Sequence, residues 1–413
     1  AGNTISLNND GTRLTIGAPT HDALEDDNDY DSGYVRIFNW NANTQFWEQV
    51  GGDIQGEYQE LTAYDESLDI NGNGNIVAVG GYLTNTENGI WSGRVRIFQE
   101  DANATGNYLG WSQMGSDING LSAFDQCSRV SLSEDGYRVA VGSGGDGGNN
   151  LGGYVRVFEF IDGEWELVGN QINGENLGDQ SATPSISADG NRLIIGARYN
   201  DSGGESAGHA RIFDFNGETW ELLGNPILGE APFDENGANV SLSHDGTMVA
   251  IGAHYNDGNG DDSGHTRMYT YTDGEWHQVG DDINGENAGD KSGEHISISG
   301  NGNIVVIGAS YNNDGGEWAG HVRVYGLINS PCDNLGCLNS LALNYDPLAT
   351  IDDETCIYPI EGCTDNIACN YNSEANIDDD SCYNNDLGCG CNIPEAEEGY
   401  DCDGNCLADE DGD

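Results

Sequence analysis

The chain has 413 residues, with 71 acidic against 13 basic side chains and a formal net charge of −58. That imbalance argues against a nucleic-acid partner, whose phosphates it would repel, and against docking on an anionic membrane; no run of 18 apolar residues provides a membrane span. It favours cations, basic partners or a salty medium, since at about 1 M salt a Debye length of roughly 3 Å screens the self-repulsion.

The polypeptide repeats itself, and periodicity of this length points to solenoids or propellers. The glycine of an apolar-Gly-small motif recurs at Gly17, Gly80, Gly142, Gly196, Gly252 and Gly308. Each copy is followed by Gly-x-x-Arg-apolar-aromatic, which places Arg36, Arg96, Arg156, Arg211, Arg267 and Arg323. Trp-x-x-x-Gly follows in five copies, at Trp47, Trp111, Trp165, Trp220 and Trp276.

The fourth copy shows the elements in order. A short alternating strand lies at Ser185–Ser187, then a turn at Asp189-Gly190 and an apolar strand over Arg192–Gly196. A loop leads to a third strand over His209–Phe215, a turn at Asn216-Gly217 and a fourth strand over Thr219–Leu223. Asp-Gly between two strand-like runs predicts a tight type I′ hairpin, repeated at Asp10-Gly11, Asp135-Gly136 and Asp245-Gly246 and, with Asn, at Asn73-Gly74 and Asn301-Gly302.

Four antiparallel strands per repeat and no helical period predict an all-β chain: a β-propeller of six to seven four-stranded blades. The blades fall at about 1–57, 58–120, 121–175, 176–230, 231–286 and 287–331. A β-solenoid is the rival, with shorter and less turn-rich coils. The sixth copy stops after its third strand, so a further blade or strands from both termini would complete the ring. The chain starts inside a repeat and stops inside a motif, as a piece of a longer protein would.

Acidic loops are expected between the second and third strands. Their alternating Asp, Asn and Gly suit Ca2+, which takes hard oxygen ligands on a flexible turn. The candidate ligands there are Asp27, Asp29 and Asp31; Asp201 and Glu205; Asp257, Asn259 and Asp261; Asp314 and Glu317. Asn, Asp and Gly are also the ordinary residues of exposed turns. A second carboxylate precedes each first strand, at Asp65, Asp125, Asp179, Asp234 and Asp290. Sameness in every blade points to architecture, accepting backbone N–H groups or pairing with the repeated Arg, because catalysis needs unequal groups in one place. The five Trp read as packing between blades. His209, His265 and His321 open the third strand of successive blades and read as structural or surface residues, since zinc would require them to converge.

Composition changes near residue 331. Ten of the 11 cysteines lie beyond it, and no basic residue follows Arg323. Residues 332–385 hold two cysteine-rich repeats, Gly336-Cys337 to Cys356 and Gly362-Cys363 to Cys382, offset by 26 residues. Units so short predict a small, loop-dominated tail stapled by disulfides; zinc is the rival, but the tail has no His. Cys369 replaces Leu343, so the pairing differs between copies. Residues 386–413 form an acidic Cys/Asp-rich segment.

Ile16-Gly17-Ala18-Pro19, with Ile195-Gly196-Ala197, Ile251-Gly252-Ala253 and Ile307-Gly308-Ala309, resembles the ending of the FG-GAP repeat of integrin α-chain propellers; Asp179-Gln-Ser181 and Asp290-Lys-Ser-Gly293 resemble its leading half. The resemblance covers residues 1 to about 330 and implies a propeller with an adhesive role. That family's Ca2+ loop joins the first two strands, a connection reduced here to Asp-Gly or Asn-Gly, so its site does not carry over. The tail resembles short cysteine-rich repeats of marine bacterial surface proteins. Its end resembles the start of a thrombospondin type 3 calcium repeat, implying Ca2+ ligands at Asp409, Asp411 and Asp413.

The expected function is a secreted or cell-surface binding and adhesion module, not an enzyme, stabilised by Ca2+ and attaching to an extracellular protein or glycan, with no nucleic acid and no membrane insertion. A polysaccharide-acting propeller enzyme or lectin, and a structural subunit of a surface layer or filament, are the alternatives.

Overall fold

Every copy of the repeat forms one antiparallel sheet with its strands in sequence order. The computed structural model describes residues 2–20, 32–57, 60–64, 66–106, 108–145 and 152–326, and in the tail 334–336, 339–345, 349–352, 355–368 and 370–383. The chain divides into two units, Ala1–Leu327 and Ile328–Asp413.

The first unit is a six-bladed β-propeller. In the fourth blade the strands are Ser181–Ile186, Arg192–Ala197, His209–Phe215 and Trp220–Leu222, with Ile227–Leu228 continuing the outer edge. The outer strand is broken this way in the first, second and fifth blades too, whereas the third runs unbroken over Glu164–Asn173. The second strand is apolar throughout because both faces are covered: Leu193, Ile194 and Ile195 are all fully buried. Leu193 and Ile195 pack toward the third blade, Ile194 toward the fifth. The core is therefore a series of five apolar seams between successive blades, and each fully buried Val, Leu or Ile contributes about 1.5–3 kcal/mol. The repeated glycine belongs to these seams. A Cβ on Gly196 would stand 2.0 Å from the Gly237 carbonyl oxygen of the next blade, so only glycine permits the approach.

Polar staples cross the same seams. Arg156, Arg211, Arg267 and Arg323 donate to the carbonyls of Asn119, Asn173, Leu228 and Asn284 at the end of the preceding blade. Arg36 instead pairs with Asp53 in its own blade. The indole N–H groups of Trp111, Trp165, Trp220 and Trp276 donate to Val50, Met114, Val168 and Leu223, again one blade back. Around the axis, the hydroxyls of Ser131, Ser185 and Ser241 accept the backbone N–H groups of Ile186, Leu242 and Ile298 in the following blade. Asp69 takes that place in the second blade and accepts from Leu132 at 2.8 Å. A backbone chain joins the turns between first and second strands, from Asn9 to Gly72, Glu134, Ala188, His244 and Gly300.

Those turns differ from the type I′ expectation. Asp189 does not have positive φ, whereas Gly190 does, at 70°. The N–H of Gly190 donates to the Ser187 carbonyl at 2.9 Å, and Ser187 N–H to the Arg192 carbonyl at 2.9 Å. The connection is thus a four-residue loop whose turn precedes a left-handed glycine. Asp189 Oδ1 accepts the Asn191 N–H and the Ser187 hydroxyl; burial raises its pKa, and these bonds outweigh it to leave the carboxyl below its usual range.

Among the described residues the sixth sheet has three strands, His295–Ile298, Ile304–Ala309 and His321–Gly326. Val322 and Val324 are 66% and 65% exposed, although their counterparts Ala210 and Ile212 are fully buried. Ile5 and Leu7 of the first blade are likewise exposed.

In the tail unit, Cys363 and Cys382 form a disulfide. The repeated Asn-Tyr has a reason here: Asn344 and Asn370 each donate to a carbonyl 11 residues on, Thr355 and Ser381, at 2.8 Å.

Candidate functional site

Because the strands alternate in direction, the loops between second and third strands and the connections between blades emerge on one face. The repeated carboxylate organises that face. Asp179 Oδ2 accepts the N–H groups of Glu175 and Asn176 and the Asn200 amide; Asp234 binds Ala231 N–H and the Asn256 amide, and Asp290 binds Asn287 N–H and the Asn312 amide. The structural reading holds through backbone N–H groups. Asp65 lies outside the described residues. In the second blade Glu60 takes the role, accepting Glu57 N–H and pairing with Arg94 and Arg96.

The residue after this carboxylate is held in the left-handed region in five blades: Leu61, Gln126, Gln180, Glu235 and Lys291, with φ between 48° and 55°. Such backbone is strained for a residue with a side chain and concentrates at functional sites. Around three of these positions, side chains of successive blades gather toward the propeller axis and form what we term its mouth. Lys291 Nζ is 4.3 Å from the Tyr255 ring centroid and 4.7 Å from that of Tyr311. Arg198 lies over Tyr199 at 4.7 Å and donates twice to Gln180 Oε1. Glu235 Oε2 is 3.7 Å from His254 Nε2. Arg129 pairs with Glu66, and Asn239, three blades on from Glu66, hydrogen-bonds the same carboxylate across the axis.

The electrostatics are uneven. Burial, reinforced by Arg198 and Lys291, holds His254 down at about 4. Burial raises Glu235 despite the same two cations. Ten of the 13 basic residues lie elsewhere: the six repeated Arg; Arg94; and Arg13, Arg138 and Arg192, which bind the Gly74, Gly190 and Gly246 carbonyls of the next blade. The other three, Arg129, Arg198 and Lys291, are at the mouth. None of these mouth residues is among the predicted ligands. The available signal was variation at one fixed position, directly after a constant carboxylate.

The predicted ligands divide. Asp257 and Asp261 do come together, joined by Asp262, with carboxylate oxygens within 4.8 Å of one another. The Asn259 amide instead donates to the carbonyls of Gly285 and Glu286. Asp201 accepts the Ser206 N–H and, like Glu205, belongs to no such group among the described residues. Asp314 gathers with Glu286 and His321 rather than with Glu317. Asp27, Asp29, Asp31, Asp409, Asp411 and Asp413 lie outside the described residues.

No protein-family model matches the chain, and no curated protein matches its sequence. Among solved structures, the periplasmic gluconolactonase PpgL of Pseudomonas aeruginosa gives a TM-score of 0.51 at 14% identity, over 78% of this chain and 80% of that one. Hydrazine synthase of Kuenenia stuttgartiensis gives 0.49 at 11% identity, over 79% and 83%. TolB from Acinetobacter baumannii gives 0.40 at 14% identity over 69% of this chain, which spans 54% of TolB. At these identities the likeness concerns the propeller fold alone.

Proposed function

We propose that the chain is a secreted or cell-surface binding module that holds an extracellular glycan or protein at the axial mouth. The observation that carries this reading is the gathering of Arg129, Arg198 and Lys291 with three tyrosines in a chain of net charge −58. Tyrosine faces offer stacking area, and the cations offer charge-assisted bonds to a carboxylate. The resemblance to FG-GAP repeats and the tail disulfide agree with an extracellular adhesive role. A screen of glycans and matrix proteins tests it: binding should fall at least about tenfold in Lys291→Ala and in Arg198→Ala, a loss of about 1.4 kcal/mol. Binding unchanged in both variants removes the mouth from the reading.

Ca2+ is the proposed stabiliser of the rim, held by Asp257, Asp261 and Asp262. Thermal melting with and without millimolar Ca2+ tests this, with a raised midpoint expected and lost in Asp261→Asn. An unshifted midpoint sinks it.

One observation favours a second reading, a polysaccharide-acting enzyme. Glu235 and His254 lie 3.7 Å apart, a carboxyl whose pKa burial raises beside an imidazole that burial keeps neutral, and such a pair offers a proton donor and a proton acceptor in one place. Turnover of a polysaccharide, abolished in Glu235→Gln, would establish it over simple binding.

A further inference from the structure

The first residue of the third strand is Arg94 in the second blade and His265 in the fifth; both face an equivalent pair of carboxylates, and Arg94 binds Glu60 as well. In the second blade, Arg94 Nη2 is 3.0 Å from Glu57 and Nη1 is 3.0 Å from Asp117 Oδ2. Asp117 Oδ1 is taken by Gln113. The fifth blade keeps these partners. Gln278 donates to Asp282 Oδ1 at 2.7 Å, which leaves Oδ2 turned inward, 3.8 Å from His265 Nδ1. Glu230 Oε1 pairs with Arg267 at 3.1 Å, and its Oε2 lies 4.0 Å from the same Nδ1.

The guanidinium's positive charge is missing here. His265 is 1% exposed, and neither ring nitrogen has a hydrogen-bond partner. A buried polar group left without a partner costs about 1–3 kcal/mol. Burial, with repulsion from Arg267, keeps the imidazole neutral, its pKa at about 4. Neutral imidazole is the form that binds metal, and protonation of a ligand opposes binding.

We propose that Glu230, His265 and Asp282 hold a divalent transition-metal ion of the Zn2+ class, one that takes mixed nitrogen and oxygen ligands, in the place Arg94 fills in the second blade. Their ligand atoms lie within 4.8 Å of one another. Around an ion with bonds of about 2.0–2.2 Å, tetrahedral ligands stand about 3.4 Å apart. Small movements of the two carboxylates, 46% and 29% exposed, close that difference. Imidazole favours this class of ion over Ca2+, which prefers oxygen alone. The inference is independent of the ligand proposed for the mouth.

The sixth blade holds a related group, with His321 Nδ1 3.6 Å from Glu286 Oε2, so the test uses a His321→Arg background. Titration of that chain with Co2+, followed by absorbance and calorimetry, should show one bound ion that Zn2+ displaces and equimolar Ca2+ does not. Adding His265→Arg, which copies the second blade, should abolish binding. Absence of Co2+ binding in the background chain, or unchanged binding after His265→Arg, overturns the proposal. Should that variant fail to fold, Asp282→Asn decides: at least about tenfold weaker binding supports the site, and unchanged affinity overturns it.

Discussion

Arg267 donates a hydrogen bond of 2.9 Å to the backbone carbonyl of Leu228, one blade back in the ring. The same guanidinium reaches Asn236 at 3.2 Å and Glu230 at 3.1 Å. Arg267→Ala leaves these acceptors unserved and should cost about 2 kcal/mol or more. Arg36→Ala is the comparison. Arg36 is 39% exposed and, among the described residues, pairs within its own blade, with Asp53, so its loss should cost about 1 kcal/mol or less. Urea unfolding of both variants checks the difference, and equal costs would count against a seam role for Arg267.

Trp220 is 5% exposed and donates its indole N–H to the Val168 carbonyl across a seam. Trp220→Ala should destabilise by about 3–5 kcal/mol. Trp47 occupies the same place in the first blade but is 39% exposed. Its replacement by Ala should cost well under half as much on thermal melting.

Asp69 is the carboxylate member of an axial series otherwise filled by serine. Burial raises its pKa above 3.8, and bonds from Leu132, Ser6 and Ile70 only partly offset this. A carboxyl raised on folding contributes stability below its unfolded pKa and loses it as pH climbs through the folded value. Asp69→Ser copies the other blades. Its stability relative to the parent should therefore improve as pH rises above the ordinary carboxylate range; a difference that does not change with pH would overturn the raised pKa of Asp69.

Gln126 holds φ at 54°, a conformation glycine adopts without strain. Gln126→Gly should gain up to about 1 kcal/mol, reduced by the larger entropy of the unfolded chain. Chemical unfolding measures it, and a loss would mean that the side chain itself secures the connection.

Much of the frame was legible because a repeat displays its own grammar. Gly196, Arg211 and Trp220 recur at fixed spacing, and each recurs because it meets the neighbouring blade. The turns were harder. Asp189-Gly190 signals a reversal, but loop length depends on Ser187 pairing with Arg192, which the dipeptide does not report. In the second blade, extra residues shift the register, so Asp65 aligns where Glu60 acts. The mouth was hidden for a different reason. Arg198, Glu235 and Lys291 belong to different copies, and only the turn of the blades about the axis brings them together. His265 by itself reads as a structural or surface histidine, because its carboxylate partners Glu230 and Asp282 lie far from it along the chain.

The left-handed position after each constant carboxylate has one more consequence. The carboxylate fixes the backbone, so the next side chain is released from any duty to the frame: leucine, glutamine, glutamate and lysine all occupy it. The face therefore behaves like a keypad whose keys can be relabelled one at a time. New specificities become accessible by single substitutions, without renegotiating the contacts that keep the blades in order.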